Sequence, residues 1–339
     1  MIRILSLPSR HPYMSKFNNK GGITFINPNT DYFNKIGGNT NPIFLDQKHP
    51  PDTYDLVHIH FSFDKLSIKE LVILFKYFKK NNKPVVWTCH SRVSQREKNI
   101  GKGKLQKILY EKSDSIITLT NGCKKWINKN LGTSKSVTVI PHGYILNPED
   151  IGQNSEYLNS KKKENFIYLV GDLRKNKEIF FSIKTFLECE KLRECTLTVI
   201  FKKNIPLDKR GKDFILLLKS NRINKICLPE LSNELLNKVF CESHVCMLPY
   251  LWGTHSGQIE LGRDCGCYPV ISDVGFYKQQ YNKVILFKFD PDLTKFSNNL
   301  VKSLIKAYNL PILKADSIFR KKEFKKILKQ HTDVYKKLI

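Results

Sequence analysis

The sequence predicts a parallel α/β architecture built as two similar domains in series. Three observations carry that prediction. Strand-like apolar runs alternate with amphipathic helical stretches from end to end, the pattern of repeated strand, helix, strand units. The 339 residues exceed one ordinary core and suit two domains of ~150 residues each. A polar stretch, Asn147 to Glu164, interrupts the alternation near the middle with the composition of an interdomain linker.

In the first half, strands are expected at Ile2 to Leu7, Leu56 to His60, Val85 to Cys89, Ser115 to Thr120 and Val137 to Ile140, each a short apolar run bounded by polar or turn residues. Ile68 to Lys80 and Lys104 to Lys112 carry helical periodicity between them. Asn18 to Pro51, rich in Asn, Pro and Gly, reads as loops and short irregular pieces. In the second half, strands are expected at Phe166 to Val170, Leu197 to Phe201, Lys225 to Cys227, Val245 to Leu248 and Tyr268 to Ile271. Helices are expected at Lys177 to Cys189, Asp213 to Lys219, Ser232 to Glu242 and Ser256 to Cys265, with a last basic helix from about Ala315 to the end. The expected division is therefore 1–150 and 165–312, followed by a C-terminal helix over 313–339. No repeat of 20 to 50 residues is visible.

Composition narrows the function classes. Hydrophobic residues at 41% and aromatics at 11% exclude a disordered chain, and no apolar run approaches the ~20 residues that span a bilayer. The start, MIRILSLPSRHPYM, is broken by Pro8 and reads as a buried strand, not a signal peptide, so a cytoplasmic protein is expected. Nine cysteines, an odd number lying mostly in apolar runs, fit small hydrophobes better than disulfides. A net charge of +26 favours phosphate-bearing partners, whether nucleotide, nucleic acid or the inner face of an anionic membrane, and does not choose among them. Nucleic acid is not expected, because aromatics interleaved with cations along one strand or loop set are missing. Weak peripheral membrane contact is a milder expectation from the basic helices Leu66 to Lys80 and Phe319 to Lys329.

The chemistry is expected at strand C-terminal ends, where open parallel sheets bind ligands. Gly253, His255, Ser256 and Gly257 form a polar loop before the helical stretch Gln258 to Cys265, whose start would offer free N–H groups to a phosphate. Glu260, about one turn inside, is placed to accept hydrogen bonds from a sugar hydroxyl. Gly171 ends a strand, and Arg174 and Lys177 follow three apart at an expected helix start, where a planar fork and a compact charge could meet one anion. His90 after VVWTC either donates to a substrate oxygen or is structural, and the same two readings apply to His142 in Pro141-His142-Gly143. Arg92 lies in a basic, glycine-containing loop with Arg96, Lys98 and Lys102. His58 and His60 alternate onto one face, a weak zinc pair without a carboxylate ligand, and Cys265-Gly-Cys267 is too closely spaced for a zinc knuckle. No metal is expected. Walker, Gly-x-Gly-x-x-Gly and Gly-x-Ser-x-Gly signatures are absent, against kinase, dehydrogenase and hydrolase chemistry.

In order along the chain, DLVHIHF, VVWTCHS, SDSIITLTNGCKKWI, VTVIPHGY, FIYLVGDLRKNKE, LSNELLNKVFCESHVCMLPY and the GTHSG to GCYPVISDVG segment resemble the family 4 retaining glycosyltransferases of GT-B architecture. The resemblance implies two Rossmann-like domains facing a cleft, an acceptor on the first and a nucleotide-sugar donor on the second. It implies that Arg174 and Lys177 neutralise the donor diphosphate, that Glu260 binds ribose as the second glutamate of a Glu-x7-Glu motif, and that amides around His255, Ser256 and Gly257 hold phosphate or sugar. Gly171 would lie on the donor side, His90 near the transferred sugar, His142 and Arg92 on the acceptor side, and the last helix would cross back onto the first domain. Transfer with retention, without cofactor or metal, to a glycan, lipid-linked or small acceptor follows from the same resemblance. The pattern departs at Trp252, where the first motif glutamate is expected, and at Asp172, where an arginine often stands. A nucleotide-sugar epimerase of the same fold and a non-catalytic basic binding module are the alternative readings.

Overall fold

The computed structural model describes residues 1–28, 48–61, 67–92, 104–153, 160–171, 173, 175–202, 205, 208–228 and 232–339. Arg174, Asp172, the expected basic loop beyond Arg92, and residues 29–47 of the Asn-rich stretch lie outside them. The described chain divides into two compact units. The first takes the residues up to Gly143 together with Lys321–Ile339, and the second takes Tyr144–Arg320.

The first unit is a six-stranded parallel sheet of β1 (Ile2–Leu7), β2 (Ile23–Phe25), β3 (Leu56–His60), β4 (Val85–Cys89), β5 (Ser115–Thr118) and β6 (Val137–Val139), in the order β2-β1-β3-β4-β5-β6. β3 and β4 are buried at every position, as expected of central strands with both faces covered. The helix Ile68–Lys80 is fixed at its start by a capping box between Ser67 and Glu70 and buries Leu71, Leu74, Phe75 and Phe78. Each of these side chains contributes about 1.5–3 kcal/mol on leaving water. Pieces missed by periodicity include β2, the short helix Pro12–Ser15 and the helix Asn121–Asn130, the last capped by Thr120.

The second unit repeats the plan with β7 (Asn165–Gly171), β8 (Thr196–Lys202), β9 (Ile223–Leu228), β10 (Val245–Leu248), β11 (Tyr268–Ser272) and β12 (Ile285–Phe287), all parallel in the order β12-β11-β10-β7-β8-β9. Alternation along β7 sends Phe166, Tyr168 and Val170 into one core and Ile167 and Leu169 into the other, on opposite faces of the sheet. The helix Leu293–Tyr308, not expected from the sequence, is capped by Asp292 and closes the first of these cores with Phe296, Leu300 and Leu304. One boundary differs in a way that matters to the site. The helix expected from Lys177 begins at Phe180, because Lys177 is taken up in an antiparallel bridge to Tyr250. The last helix, Ser317–Lys336, starts in the second unit and ends in the first.

Candidate functional site

Strand order reverses between β7 and β10 in the second unit, and the C-terminal edge at such a switch point is where open α/β sheets take their ligands. β7 ends at Gly171, whose φ of +64° is a left-handed turn that a side chain would strain. Lys177 returns to that edge. Its Nζ donates to the carbonyls of Leu169 (2.6 Å) and Val170 (3.1 Å) and lies 5.9 and 5.8 Å from the ring centroids of Tyr168 and Tyr250. A buried cation is thus fixed at the sheet edge by carbonyl dipoles and two aromatic faces.

Beside it, β10 runs into the loop holding Gly253, His255 and Ser256. Ser256 caps the helix Gly257–Cys265 by accepting the Gln258 N–H, and its hydroxyl also bonds the Tyr250 hydroxyl at 3.0 Å. The donors at this helix start are largely committed. The Ser256 N–H goes to Gln280 Oε1, that of Gln258 to Ser256 Oγ, and that of Ile259 to the Ser256 carbonyl. Among the described residues Gly257 N–H has no partner, so it is the first-turn amide left for an anion. Gly253 permits the loop's path, since a Cβ there would overlap the Tyr277 hydroxyl.

Glu260 is 2% exposed and its carboxylate is engaged by the protein. Oε1 accepts from Gln280 Nε2 (3.0 Å), and Oε2 accepts from Arg320 Nη2 (2.8 Å) with Arg263 at 3.7 Å. Arg320 also donates from Nε to Asp264 Oδ1 at 2.7 Å. Burial pushes the Asp264 carboxyl up to about 6 and the nearby Glu260 charge adds to this, while Arg320 and the Ile145 and Leu146 amides oppose it. Gln280, Asp264 and Arg320 were not singled out from the sequence. Asp264 was legible as a second acid one turn after Glu260 on the same helix, whereas Gln280 and Arg320 come from 20 and 60 residues away with no local signal.

The remaining candidates lie in the first unit, at the C-terminal ends of β3, β4 and β6. His90 is buried, stacks on Phe61 with centroids 4.2 Å apart and meets Tyr13 edge-on at 4.7 Å. His142 lies 4.8 Å from the same tyrosine ring, and its Nδ1 is 3.1 Å from the Gly143 carbonyl. Arg92 follows His90 by two positions and is partly buried. His58 bonds Tyr335 (2.7 Å) and Thr88 (2.7 Å) and lies 3.9 Å from His60, whose ring nitrogens are both buried without a hydrogen-bond partner among the described residues. Sequence reading saw two of these histidines as a pair. The structure packs His58, His60, His90, His142 and His331 with Tyr13. No group of three or more His, Cys, Asp or Glu among the described residues is arranged to hold a metal ion.

Residues 42–147 match a family model described as Glycosyltransferase Family 4. Among solved structures, the chain is similar to a sucrose-phosphate synthase from Thermosynechococcus elongatus, at 15% identity over 94% of this chain and 82% of that one, with a TM-score of 0.62. It is also similar to the HepE protein of Anabaena in complex with UDP and glucose, at 12% identity over 97% and 100% of the two chains, with a TM-score of 0.59. A third similar structure is described as trehalose-6-phosphate from E. coli bound with UDP-2-fluoro glucose, at 14% identity over 91% and 75%, with a TM-score of 0.58. At these identities the likeness establishes the fold, a GT-B architecture of two units with parallel sheets. No curated protein sequence matches the chain. Among the described residues no helix is long and apolar enough to cross a membrane.

Proposed function

We propose that this chain, a glycosyltransferase of GT-B fold by its family 4 match over residues 42–147, takes its sugar from a nucleoside diphosphate donor and passes it to an acceptor hydroxyl with retention and without a metal. One observation carries the donor side of this reading. At the switch point between β7 and β10, the buried Lys177 ammonium and the Gly257 N–H at a helix start converge on one sheet edge. That pairing suits a diphosphate, and similar proteins solved with UDP or a UDP-sugar support the choice of ligand.

In the proposed reaction the bond between the anomeric carbon and the diphosphate oxygen breaks and a bond to the acceptor oxygen forms on the same face. The acceptor proton passes to the departing phosphate. Negative charge grows on the leaving diphosphate, and a preorganised cation and helix start stabilise it most when water is excluded. Arg174, outside the described residues, joins Lys177 in this role by the family resemblance. Glu260 would meet the donor ribose through whatever acceptor capacity Gln280, Arg263 and Arg320 leave, since a carboxylate offers about four lone-pair sites. His90 is assigned a catalytic place near the transferred sugar, and His142 and Arg92 are assigned to the acceptor side.

Thermal melts with UDP-, GDP-, ADP- and TDP-sugars test the donor site. A ligand that binds only the folded chain raises the melting temperature by mass action. One nucleotide series should stabilise the native chain, and Lys177→Met should lose that shift while retaining its own cooperative transition. No shift with any series would send the reading back to the basic binding module.

A membrane-facing acceptor is a second reading, favoured by the outer stripe of the helix Ile68–Lys80. There exposed Ile73 stands among the exposed cations Lys69, Lys76 and Lys80. Vesicles containing phosphatidylserine should co-sediment the chain at low salt and release it at high salt, whereas neutral vesicles should not. Equal recovery with both vesicle types would remove this reading.

A further inference from the structure

Asp264 lies on the same helix as Glu260, one turn later, and is 1% exposed. Its Oδ1 accepts from Arg320 Nε at 2.7 Å, and its Oδ2 accepts from the backbone N–H groups of Ile145 (2.7 Å) and Leu146 (3.0 Å). The polypeptide passes from the first unit to the second between Gly143 and Tyr144, and returns between Arg320 and Lys321. A single carboxylate therefore bonds the chain within three residues of both crossings. The same helix end also meets two further segments of the second unit. Lys162 donates to the Cys265 carbonyl at 3.0 Å, and a Cβ at Gly266, the left-handed C-cap with φ +69°, would overlap the Leu313 carbonyl oxygen.

A helix can be packed against two passing segments by apolar side chains with no desolvation cost. A buried charge in that place is costly unless it is paired and hydrogen-bonded, and here one guanidinium and two backbone amides bond it. Such an arrangement is directional where apolar packing is not. Because Arg320 bonds Asp264 and Glu260 at once, displacement of the returning connection is felt at both carboxylates.

We propose that Asp264 is a positioning residue that fastens both connections between the units to the helix carrying Glu260, so that the setting of Glu260 depends on the state of those connections. Its consequence for sugar transfer rests on the donor-site reading above, whereas the fastening itself does not.

Hydrogen exchange on the full chain tests the fastening without any ligand. In Asp264→Asn the amides of Ile145 and Leu146 should lose protection by about 100-fold or more, with faster exchange at Leu313 to Arg320, while β7, β8 and β10 stay within about 3-fold of the native chain. Glu260→Gln should leave the Ile145 and Leu146 amides unchanged, because it spares every bond that Asp264 makes to them. Unchanged protection in Asp264→Asn, or acceleration spread evenly over the second unit, would overturn the proposal. Should that variant not fold, Asp264→Glu keeps the charge and moves the oxygens by one methylene, and the same local loss at Ile145 and Leu146 is expected. Adding UDP, GDP or ADP then separates the two ideas. Absence of binding to the native chain strikes the donor reading and leaves the exchange result standing. Binding with equal protection of Ile145 and Leu146 in native and Asp264→Asn chains counts against the dependence of the helix on the connections.

Discussion

Arg320→Met should lower the unfolding free energy of the second unit by about 3–5 kcal/mol, the usual effect of deleting one partner of a fully buried ion pair. Arg320 and both of its carboxylate partners are at most 2% exposed, so water cannot replace the lost guanidinium. The two carboxylates differ in what remains to them. Glu260 keeps Gln280 and the more distant Arg263, whereas Asp264 keeps only the Ile145 and Leu146 amides among its bonded donors. Its carboxyl, already pushed up to about 6 by burial, rises further and takes a proton near neutral pH. Arg320→Lys should recover little, because one ammonium cannot present Nε to Asp264 and Nη2 to Glu260 in a fixed fork. Adding Glu260→Gln and Asp264→Asn to Arg320→Met should restore part of the stability, since the orphaned charges go with their partner. Hydrogen exchange of β7, β8 and β10 in increasing urea measures all three. A loss below about 1 kcal/mol for Arg320→Met would mean that the pair is solvated and contributes as little as a surface pair.

The strands were legible because parallel strands covered on both faces are continuous apolar runs, and Ile2–Leu7, Leu56–His60 and Val85–Cys89 fall where those runs fall. β2 and β12 were not, since three residues carry no periodicity of their own and are fixed by pairing with β1 and β11. The helix Leu293–Tyr308 was legible and passed over. Asp292 is a good N-cap, and Phe296, Leu300, Leu304 and Ala307 recur at helical spacing. For the site, the sequence marks residues whose type is unusual for their surroundings, such as Glu260 between Ile259 and Leu261. It does not mark their partners. Gln280, which braces the Ser256 backbone on both sides and reaches Glu260, is an ordinary polar residue on a four-residue helix, and only the fold brings it there. Lys177 was expected on a helix and sits instead in a bridge to Tyr250, because the β7 carbonyls compete for its ammonium.

Acidification should unfold the first unit steeply between about pH 6.5 and pH 4. Burial first, then the positive charge that would form on neighbouring imidazoles, holds His58 and His60 well below the usual histidine range. Burial likewise lowers His331 to about 4, against a raising hydrogen bond to the Ile327 carbonyl. All three therefore resist protonation in the folded chain, while in the unfolded chain they take protons below about 6.5. A base whose folded pKa is depressed gives a stability that is whole above the unfolded value and declines as pH falls, until the folded group is itself protonated. Each such proton adds up to ~1.4 kcal/mol per pH unit to the slope below the unfolded value, so the three together steepen the acid limb. The second unit contains a group of opposite sign. The raised Asp264 carboxyl takes its proton in the fold first, so the second unit gains stability from it as pH falls from about 6, opposite in sign to the histidine loss of the first unit. Urea midpoints at pH 7.5, 6 and 5, followed by the fluorescence of Trp87 and Trp126 in a Trp252→Phe background, would isolate the first unit. His60→Leu sharpens the test, because His60 gives up no hydrogen bond to a described residue when replaced. It should leave the pH 7.5 midpoint unchanged or higher and reduce the acid slope by about a third. A native slope near zero would show that the imidazoles titrate freely in the folded chain, and that the cluster is hydrated rather than dry.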